Sequence, residues 1–310
     1  MITILLSTEQ GLERRKAAIR NCWVNAVNPD ANEIAYLHRD LGIPQGFIAA
    51  SLDIDERART DREAGAMLIL FRIPHFRGAE SDIPFSTIPL GIILIGEMIV
   101  TVCRAENDII REFAAGRVAD FSTAKRNRFI LRLLLHTANL YLRYLRRINR
   151  EVDALEDKLQ MSMRNEELLG LLKYQKSLVY FTTALRSNEL MMERLQRSQL
   201  FAKYPDDGEL LDDVLIENRQ AIEMVGISND ILSQMMDAFA SIISNNMNIV
   251  MKFLTSVTIV LMLPTLVASF YGMNVALPLQ DSPYAFLITL LISFVLSFIV
   301  VLIFLKKDWF

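Results

Sequence analysis

The sequence has few residues of the kinds that build catalytic or disulfide-bonded proteins. Its 310 residues include two cysteines and three histidines. Cys22 and Cys103 have no metal-ligand spacing to other residues. Two lone thiols fit a reducing compartment and no disulfide framework. The histidines are scattered, and the sequence has neither a glycine-rich phosphate loop nor a nucleophile motif. We therefore expect that the chain is not an enzyme and uses no organic cofactor.

Charged residues are also scarce near the C-terminus. The formal net charge of −3 is too small to indicate a nucleic-acid partner. Lys252 is the only charged residue between Asp237 and Asp281, and none lies between Asp281 and Lys306. The rest of the chain has an ordinary soluble composition, so we expect a long water-soluble part followed by a membrane part.

Two uncharged stretches are long enough to cross a membrane. Phe253–Tyr271 contains 19 residues and Tyr284–Leu305 contains 22. At a rise of about 1.5 Å per residue, each reaches across a hydrocarbon core of roughly 30 Å. The sequence therefore predicts a hairpin of two transmembrane helices.

Lysines flank these spans on one side of the membrane. Lys252 precedes the first span, and Lys306 and Lys307 follow the second. Because basic residues accumulate on the cytoplasmic side, we expect both termini in the cytoplasm and the connecting loop outside. The first residues lack the charged region of a signal peptide and are expected to form a strand. We expect a multi-pass protein of the cell (inner) membrane.

The first 105 residues mix strand and loop signals. Asp53–Arg62 is polar and is expected to be helix or loop. Gly96-Glu97 predicts a hairpin between the last two of four apolar runs. Those runs, each predicted to be a strand, are Ile2–Leu6, Met67–Phe71, Ile92–Ile95 and Met98–Val102.

Helical signals replace these after residue 105. Apolar residues recur at helical spacing through Arg128–Leu159, and Leu168–Leu200 is predicted to be a returning helix. A break follows at Pro205–Gly208, and the next proline is Pro264. Glu209–Tyr271 is therefore predicted to be one helix, about 95 Å long, that continues from a stalk into the first span.

An apolar seam with a seven-residue repeat runs along this helix. Such a seam is typical of packed helices, and either other helices of the chain or copies of the chain would satisfy it. Its members are Leu211, Leu215, Asn218, Ile222, Val225, Asn229, Leu232, Met236, Phe239 and Ile243.

A second face of the helix, the polar stripe, continues through the span. Copies of the helix around an axis would turn it into rings that line a pore, since polar side chains avoid lipid. The alternative is that each hydroxyl bonds to its own i−4 carbonyl or permits close packing. We favour the pore. The polar stripe consists of Asp230, Gln234, Asp237, Ser241, Ser244, Asn248, Met251, Thr255, Thr258, Met262, Thr265 and Ser269.

The first span ends in Tyr271-Gly272-Met273-Asn274. By itself this segment fits a helix terminator, in which Gly272 supplies a positive φ beside an interfacial tyrosine. Its position at the end of the polar stripe favours a selectivity device at the membrane mouth.

Several segments together resemble a known family. They are Asn248 to Thr255, Pro264-Thr265, Tyr271 to Asn274 and the Lys306-Lys307-Asp308-Trp309 tail. They resemble the CorA family of magnesium transporters, specifically over residues 230 to 310 and more weakly before them. Many relatives carry an acidic cluster after the glycine-methionine-asparagine motif, whereas Asp281 stands alone in this loop.

The resemblance implies an α+β membrane protein that forms a homopentameric funnel in the lipid membrane. Its cytoplasmic α/β domain is followed by a long stalk helix continuous with the first of two transmembrane helices. Divalent cations, chiefly Mg²⁺ with Co²⁺ and Ni²⁺ as further ions, would pass inward. The expected division is 1–105 α/β domain, 106–207 helical region, 208–248 stalk, 249–271 pore-lining helix, 272–283 outer loop, 284–305 second transmembrane helix and 306–310 basic tail.

The resemblance also implies roles for single residues. Tyr271, Gly272, Met273 and Asn274 would form the selectivity filter. Asp237 would bind regulatory Mg²⁺ between subunits, so that Mg²⁺ is both transported and regulatory, and Asp213 is a second such position. Together with the polar stripe, the resemblance predicts a pore lined by Asn248, Met251, Leu254, Thr255, Thr258, Met262, Thr265 and Ser269.

Two other functions fit parts of the sequence. A zinc or other transition-metal transporter could use the same scaffold, although the polar stripe has no histidine or cysteine to favour soft metals. A membrane-anchored coiled-coil scaffold would explain the stalk but not the polar residues inside the span.

Overall fold

The computed structural model describes residues 1–9, 11–162, 165–198, 200–201, 205–275, 277–278, 282–307 and 309. They form two compact units, Met1–Gln234 and Met235–Phe310. The first contains a seven-stranded sheet with helices, and the second contains the end of the longest helix and a terminal apolar helix. The predicted class is confirmed: an N-terminal α/β domain, a long helix and two candidate spans.

The sheet is mixed, with the strand order β2-β1-β3-β7-β6-β5-β4. β3 and β7 are parallel, and the other neighbouring pairs are antiparallel. The strands are β1 (Ile2–Thr8), β2 (Gly11–Arg15), β3 (Trp23–Val27), β4 (Arg59–Glu63), β5 (Ala66–Phe76), β6 (Phe85–Ile95) and β7 (Met98–Cys103).

The strand predictions are confirmed for all four apolar runs, which lie in β1, β5, β6 and β7. The predicted hairpin is also confirmed, because Ile95 of β6 pairs with Met98 of β7. Between them Gly96 has a φ of 54°, in the left-handed region that glycine adopts at little cost.

The expectation of helix or loop for Asp53–Arg62 is wrong at its C-terminal end. β4 begins at Arg59, which lies opposite Leu70 of β5. β4 is an edge strand with polar side chains, so no apolar run marks it in the sequence. Backbone pairing with β5 holds it in place, and the chain turns into β5 through Ala64 and Gly65, both with positive φ.

Seven helices complete the described part of the chain. They are α1 (Ala31–Arg39), α2 (Gln45–Leu52), α3 (Asp108–Ala114), α4 (Arg126–Ser162), α5 (Asn165–Arg197), α6 (Pro205–Tyr271) and α7 (Ala285–Lys306). The predicted long helix is confirmed, but it begins slightly earlier than expected. Proline suits the first helical position, because an N–H there would have no partner within the helix. The negative charges of Asp206 and Asp207 in the first turn are stabilised by the positive end of the helix dipole.

The two faces of the sheet bury different side chains. On one face, Leu37 of α1 and Phe47 of α2 belong to a buried apolar cluster with Val24 of β3 and Val100 of β7. This face is built from the alternate residues of each strand, as the two-residue period of a strand requires.

The opposite face packs against α3 and α4 through aromatic rings. Trp23 of β3 contacts Phe129 of α4, with 5.1 Å between ring centroids. Phe113 of α3 contacts the same ring at 5.6 Å. The chain therefore leaves β3 towards one face of the sheet and leaves β7 towards the other.

A buried asparagine joins α5 to β5. The Asn188 side chain accepts a hydrogen bond from the backbone N–H of Arg72 and donates one to its carbonyl, both at 2.8 Å. The Tyr141 hydroxyl of α4 donates to the same carbonyl at 3.1 Å. These bonds satisfy the buried polar groups and fix the register of both helices on the sheet.

The apolar seam of α6 is packed within the chain in the first unit. Asn218 is 1% exposed, and its Nδ2 donates to the backbone carbonyl of Leu185 in α5 at 3.3 Å. Arg219 next to it forms an ion pair with Glu189 at 3.1 Å. Of the two ways left open to satisfy the seam, a neighbouring helix of the same chain is the one observed here.

Two helices are long and apolar enough to cross a membrane: α6, which ends in the second unit, and α7. Few of the described side chains in the second unit are buried, and they include Ser256 and Val267 of α6 and Ser293 of α7. Small side chains at such positions allow two membrane helices to approach closely.

Candidate functional site

The predicted filter lies where α6 ends. Tyr271 is the last residue of α6. The Gly272 N–H donates to the Ala268 carbonyl at 2.9 Å, and the Met273 N–H donates to that of Phe270 at 3.2 Å. The i→i−4 hydrogen bonding of α6 thus continues to Gly272, and the bond from Met273 then reaches back only three residues. The Tyr271 hydroxyl donates to the Pro278 carbonyl at 3.2 Å, which ties the following loop back to the helix end.

The conformational reason expected for Gly272 is wrong. Gly272 is not among the glycines with positive φ. A Cβ built on it would lie 3.4 Å from the Ala268 carbonyl oxygen, which is close but not a collision. The end of the helix does not require a left-handed residue here, because the Met273 N–H still donates to a carbonyl inside the helix, that of Phe270.

Asn274 ends this segment with its side chain exposed to the surroundings. Its amide makes no hydrogen bond within the described residues. Met273 beside it is 52% exposed. In the loop that follows, Asp281 lies outside the described residues, so the predicted outer carboxylate has no structural account.

The predicted pore residues share one exposed face of α6. All eight, from Asn248 to Ser269, are exposed in the single chain. The buried side of the same helix segment carries Ser256 and Val267, and Val260 accepts a hydrogen bond there from α7. Because each residue advances about 100° around the axis, the pore residues and this α7-facing side lie roughly opposite each other.

Some hydroxyls of the polar stripe bond back to their own helix. The Thr258 hydroxyl donates to the Leu254 carbonyl at 2.8 Å, and the Thr265 hydroxyl donates to that of Leu261 at 3.5 Å. The local bonding considered as the alternative interpretation thus occurs at these two positions. It uses the hydroxyl hydrogen and leaves the oxygen lone pairs free to accept from water.

The two predicted regulatory carboxylates are both exposed on α6 and lie in different units. Asp213 is in the first unit and Asp237 in the second. Neither forms an ion pair with another described residue. No group of three or more histidine, cysteine, aspartate or glutamate side chains suited to a metal ion occurs in the described part of the single chain.

Sequence patterns did not single out Ser297, which lies on the α7 side that faces α6. Its hydroxyl donates to the Val260 carbonyl at 3.4 Å. The only available signal was Pro264, since a proline inside a helix leaves the carbonyl four residues earlier without a donor.

A polar-striped membrane helix that ends in a glycine-methionine-asparagine motif, preceded by an α/β domain, defines a class of membrane transport protein. The sequence model of the CorA-like Mg²⁺ transporter protein family matches residues 20–307. The chain therefore belongs to the CorA family. This is a family of membrane transporters, so the expectation that the chain is not an enzyme is confirmed.

Individual relatives agree with this membership. The chain is 30% identical over 300 residues to the cobalt/magnesium transport protein CorA of Methanocaldococcus jannaschii, covering 94% of this chain and 92% of that protein. It is 28% identical over 170 residues to the protein of the same name in Thermotoga maritima, covering 54% and 48%.

A solved structure extends the similarity to the whole fold. The complete structure of the M. jannaschii CorA magnesium transporter matches with a TM-score of 0.85 and 25% identity. The match covers 100% of this chain and 99% of that one. The two helices able to cross a membrane therefore belong to a known transporter architecture.

Proposed function

We propose that the chain is one subunit of a homopentameric transporter that carries Mg²⁺ into the cell. Co²⁺ and Ni²⁺ are proposed as further substrates. In this proposal α6 lines the pore, α7 surrounds it, and both chain termini face the cytoplasm. The names of the Methanocaldococcus and Thermotoga relatives, both cobalt/magnesium transport proteins, support the choice of ions.

The observation that carries the proposal is the position of the polar stripe on α6. Its residues from Asn248 to Ser269 are exposed and lie opposite the side that contacts α7. Polar side chains on a membrane helix are expensive when they face lipid, so this face needs water or another protein surface. Copies of α6 around a common axis supply both, with α7 on the outside.

Asn274 suits the outer end of such a pore because its amide carbonyl has no fixed charge. Mg²⁺ holds its first-shell water strongly and prefers octahedral oxygen ligands. A ring of Asn274 carbonyls accepts hydrogen bonds from that water without removing it. A carboxylate ring would hold the ion harder and slow its release, whereas conduction needs weak successive sites.

The remaining pore residues set the barriers along the path. Met251, Leu254 and Met262 project apolar side chains that are more than half exposed in the single chain. Rings of such side chains exclude water and can close a pore. An inside-negative potential favours entry by about 2.3 kcal/mol per charge per 100 mV, and a divalent ion gains twice this.

We assign regulation to carboxylates contributed by different subunits. Asp237 and Asp213 are exposed, and no complete metal site forms in the described part of one chain. When the acids of neighbouring subunits face each other without a metal, their charges repel. Bound cytoplasmic Mg²⁺ would neutralise them and hold the stalks together, which closes the pore when internal Mg²⁺ is sufficient.

Ion flux into liposomes tests the function. Purified protein should admit Mg²⁺, and internal Mg²⁺ should reduce the rate. Flux of Co²⁺, Ni²⁺ and Zn²⁺ in parallel ranks the substrates, and a strong preference for Zn²⁺ would favour the transition-metal alternative. A protein that assembles but passes none of these ions would support a scaffold instead.

Cysteine substitution tests which face of α6 lines the path. Cys22 and Cys103 are fully buried, so a charged thiol reagent should leave wild-type flux unchanged. Thr258→Cys should become sensitive to the reagent. Ile259→Cys is the matched control, because the side chain of residue 259 leaves the helix about 100° away from that of Thr258. Equal sensitivity at both positions would contradict the assignment of the polar stripe.

A further inference from the structure

A cavity of about 580 Å³ opens in the first unit, far in sequence from the residues proposed for transport. It lies where the parallel strands β3 and β7 end, and Asn25, Asn28 and Arg104 are among its lining residues. The chain turns from β3 towards one face of the sheet and from β7 towards the other. Crevices at the carboxyl ends of parallel strands, where the connections diverge in this way, are common ligand sites in α/β sheets.

One residue that lines the cavity, Asn25, has a side-chain amide whose orientation is fixed. The Trp23 Nε1–H donates to the Thr101 hydroxyl oxygen at 2.8 Å. That hydroxyl in turn donates to Asn25 Oδ1 at 2.9 Å. Because Oδ1 accepts this bond, the Asn25 Nδ2 group must point the other way.

Asn25 Nδ2 has no hydrogen-bond partner among the described residues, although Asn25 is only 8% exposed. Since Asn25 lines the cavity, its free N–H groups are available to an acceptor there.

Two unpaired arginines stand at the same cavity. Arg14 from β2 and Arg104 after β7 line it, and neither guanidinium has an ion pair or hydrogen bond within the described part of the chain. A third arginine, Arg111, is neutralised by Asp108. Glu106 also lines the cavity and partly offsets the positive charge. The two unpaired guanidinium groups outnumber this carboxylate, which favours an anion.

We propose that this cavity binds the phosphate group of a small molecule. Guanidinium groups match the oxygens of phosphate, and the Asn25 amide supplies a further donor at the base of the site. The volume falls within the roughly 300–1,000 Å³ of small-molecule sites. Apolar side chains such as Leu5, Val27 and Ile110 line the same space and leave room for a larger body attached to the phosphate.

Calorimetric titration of the full-length protein in detergent tests the proposal, with EDTA present to remove divalent cations. The probes are AMP, inorganic phosphate and adenosine. AMP or phosphate should bind saturably, and adenosine should not. Tighter binding of AMP identifies a nucleotide as the source of the phosphate, whereas equal binding identifies free phosphate.

Charge variants test the location of the site. Arg104→Gln should weaken binding of the phosphate probe about tenfold or more, because a charge-assisted hydrogen bond is lost. Glu106→Gln should strengthen binding, because a repulsive charge is removed. Arg117→Gln is the matched control, since Arg117 is exposed in the same unit but does not line the cavity.

Two results would overturn the proposal. One is the absence of saturable binding by AMP and phosphate at millimolar concentration. The other is an equal loss of affinity in Arg104→Gln and Arg117→Gln. All three variants change exposed side chains, and a melting curve for each confirms that the fold is retained. Neither result bears on ion flux, so the transport proposal is tested separately.

Discussion

Ser297 of α7 donates a hydrogen bond to the backbone carbonyl of Val260 in α6, with 3.4 Å between the two oxygens. Val260 lies four residues before Pro264, the proline inside α6. Proline has no N–H, so the helix cannot supply a donor to this carbonyl. In a membrane an unpartnered carbonyl is costly. Ser297 therefore satisfies the group that Pro264 leaves free and ties the two helices together at the proline.

We expect Ser297→Ala to destabilise the pairing of α6 with α7 by roughly 0.5–1.5 kcal/mol, the range of hydrogen bonds between membrane helices. In a Pro264→Ala background the helix regains an N–H for the Val260 carbonyl, and the cost of Ser297→Ala should fall. A double-mutant cycle, measured by reversible unfolding in mixed micelles, gives this coupling.

Ser293→Ala is the control for this cycle. The Ser293 hydroxyl donates to the Thr289 carbonyl of its own helix at 2.9 Å, so its loss should not depend on Pro264. An equal cost of Ser297→Ala with and without Pro264 would show that the serine does not serve the freed carbonyl.

Asn274→Ala should abolish selective Mg²⁺ uptake. The substitution removes the carbonyl that we propose accepts hydrogen bonds from the hydrated ion, and we expect flux to fall by at least about tenfold. Assembly should persist, since the Asn274 side chain bonds to none of the described residues of its own chain. Liposome flux and size-exclusion chromatography measure the two properties. Wild-type uptake by this variant would exclude a selectivity role.

Gly272→Ala tests whether Gly272 serves the proposed selectivity filter or the conformation at the end of α6. Gly272 does not need a positive φ, and an added Cβ would lie 3.4 Å from the Ala268 carbonyl oxygen. We therefore expect a change in unfolding free energy within about 0.5 kcal/mol, as for a tolerated substitution. A fall in Mg²⁺ flux at unchanged stability would show that the bare backbone serves the ion path. A large loss of stability would instead support a conformational role.

The proposed regulation predicts that Asp237→Ala weakens inhibition by internal Mg²⁺. With one carboxylate fewer at each subunit interface, more Mg²⁺ is needed to hold the closed state, so flux should persist at higher internal concentrations. Glu217→Ala is a control on the same helix but outside the polar stripe. An unchanged response in Asp237→Ala would exclude Asp237 as the sole sensor, and Asp213→Ala combined with it would then test for a shared role.

The parts of the fold that could be predicted are those with strong local patterns. Apolar runs located four strands because buried strands need apolar side chains, and seven-residue spacing located the buried seam on α6. β4 was missed because an edge strand is held by backbone bonds and can be polar throughout, as at Arg59–Glu63. The conformation of Gly272 was misjudged because a helix can end with or without a positive φ, and the residue type does not decide between them.

The candidate site could be predicted only as far as a single helix determines it. The spacing from Asn248 to Ser269 places those residues on one face of α6, and the structure adds that α7 contacts the other side. The bond from Ser297 depends on the register between two helices, which no pattern within one helix specifies. The proposed arrangement of Asp213 and Asp237 in a metal site would depend on contacts between copies, which the sequence of one chain does not encode locally.

Gly91→Ala should destabilise the first unit. Gly91 lies in β6 against α2, and an added Cβ would lie 2.8 Å from the Ser51 Cβ and closer still to its hydroxyl. Ser51 cannot turn away freely, because its hydroxyl donates to the Phe47 carbonyl at 2.7 Å. Overpacking of this kind costs about 1–3 kcal/mol. Chemical unfolding measures the loss, and Ser51→Gly in the same chain should recover part of it.

Gly46→Ala is the control for that substitution. Gly46 lies in α2, and a Cβ there would meet nothing within 4 Å. Because alanine favours a helix more than glycine, this change should leave stability unaltered or raise it by up to about 1 kcal/mol. A loss in Gly46→Ala as large as that in Gly91→Ala would mean that α2, rather than its contact with β6, responds to substitution.

Cys103 makes stability depend on alkaline pH. Burial raises the pKa of its thiol to about 11 from 9.0, because the thiolate would lose its hydration. A pKa that is higher in the folded state leaves stability intact below pH 9 and lowers it as pH rises from 9 towards 11. At about 1.4 kcal/mol per pKa unit, the loss attributable to this group is roughly 2–3 kcal/mol.

The difference between wild type and Cys103→Ala isolates this contribution from other groups that titrate at alkaline pH. The free energy of unfolding of both proteins should be measured from pH 8 to pH 10.5, with the emission of the buried Trp23 as the signal for the first unit. The wild type should lose stability more steeply above pH 9 than the variant does. Parallel curves would show that the thiol titrates in the folded chain as it does in water.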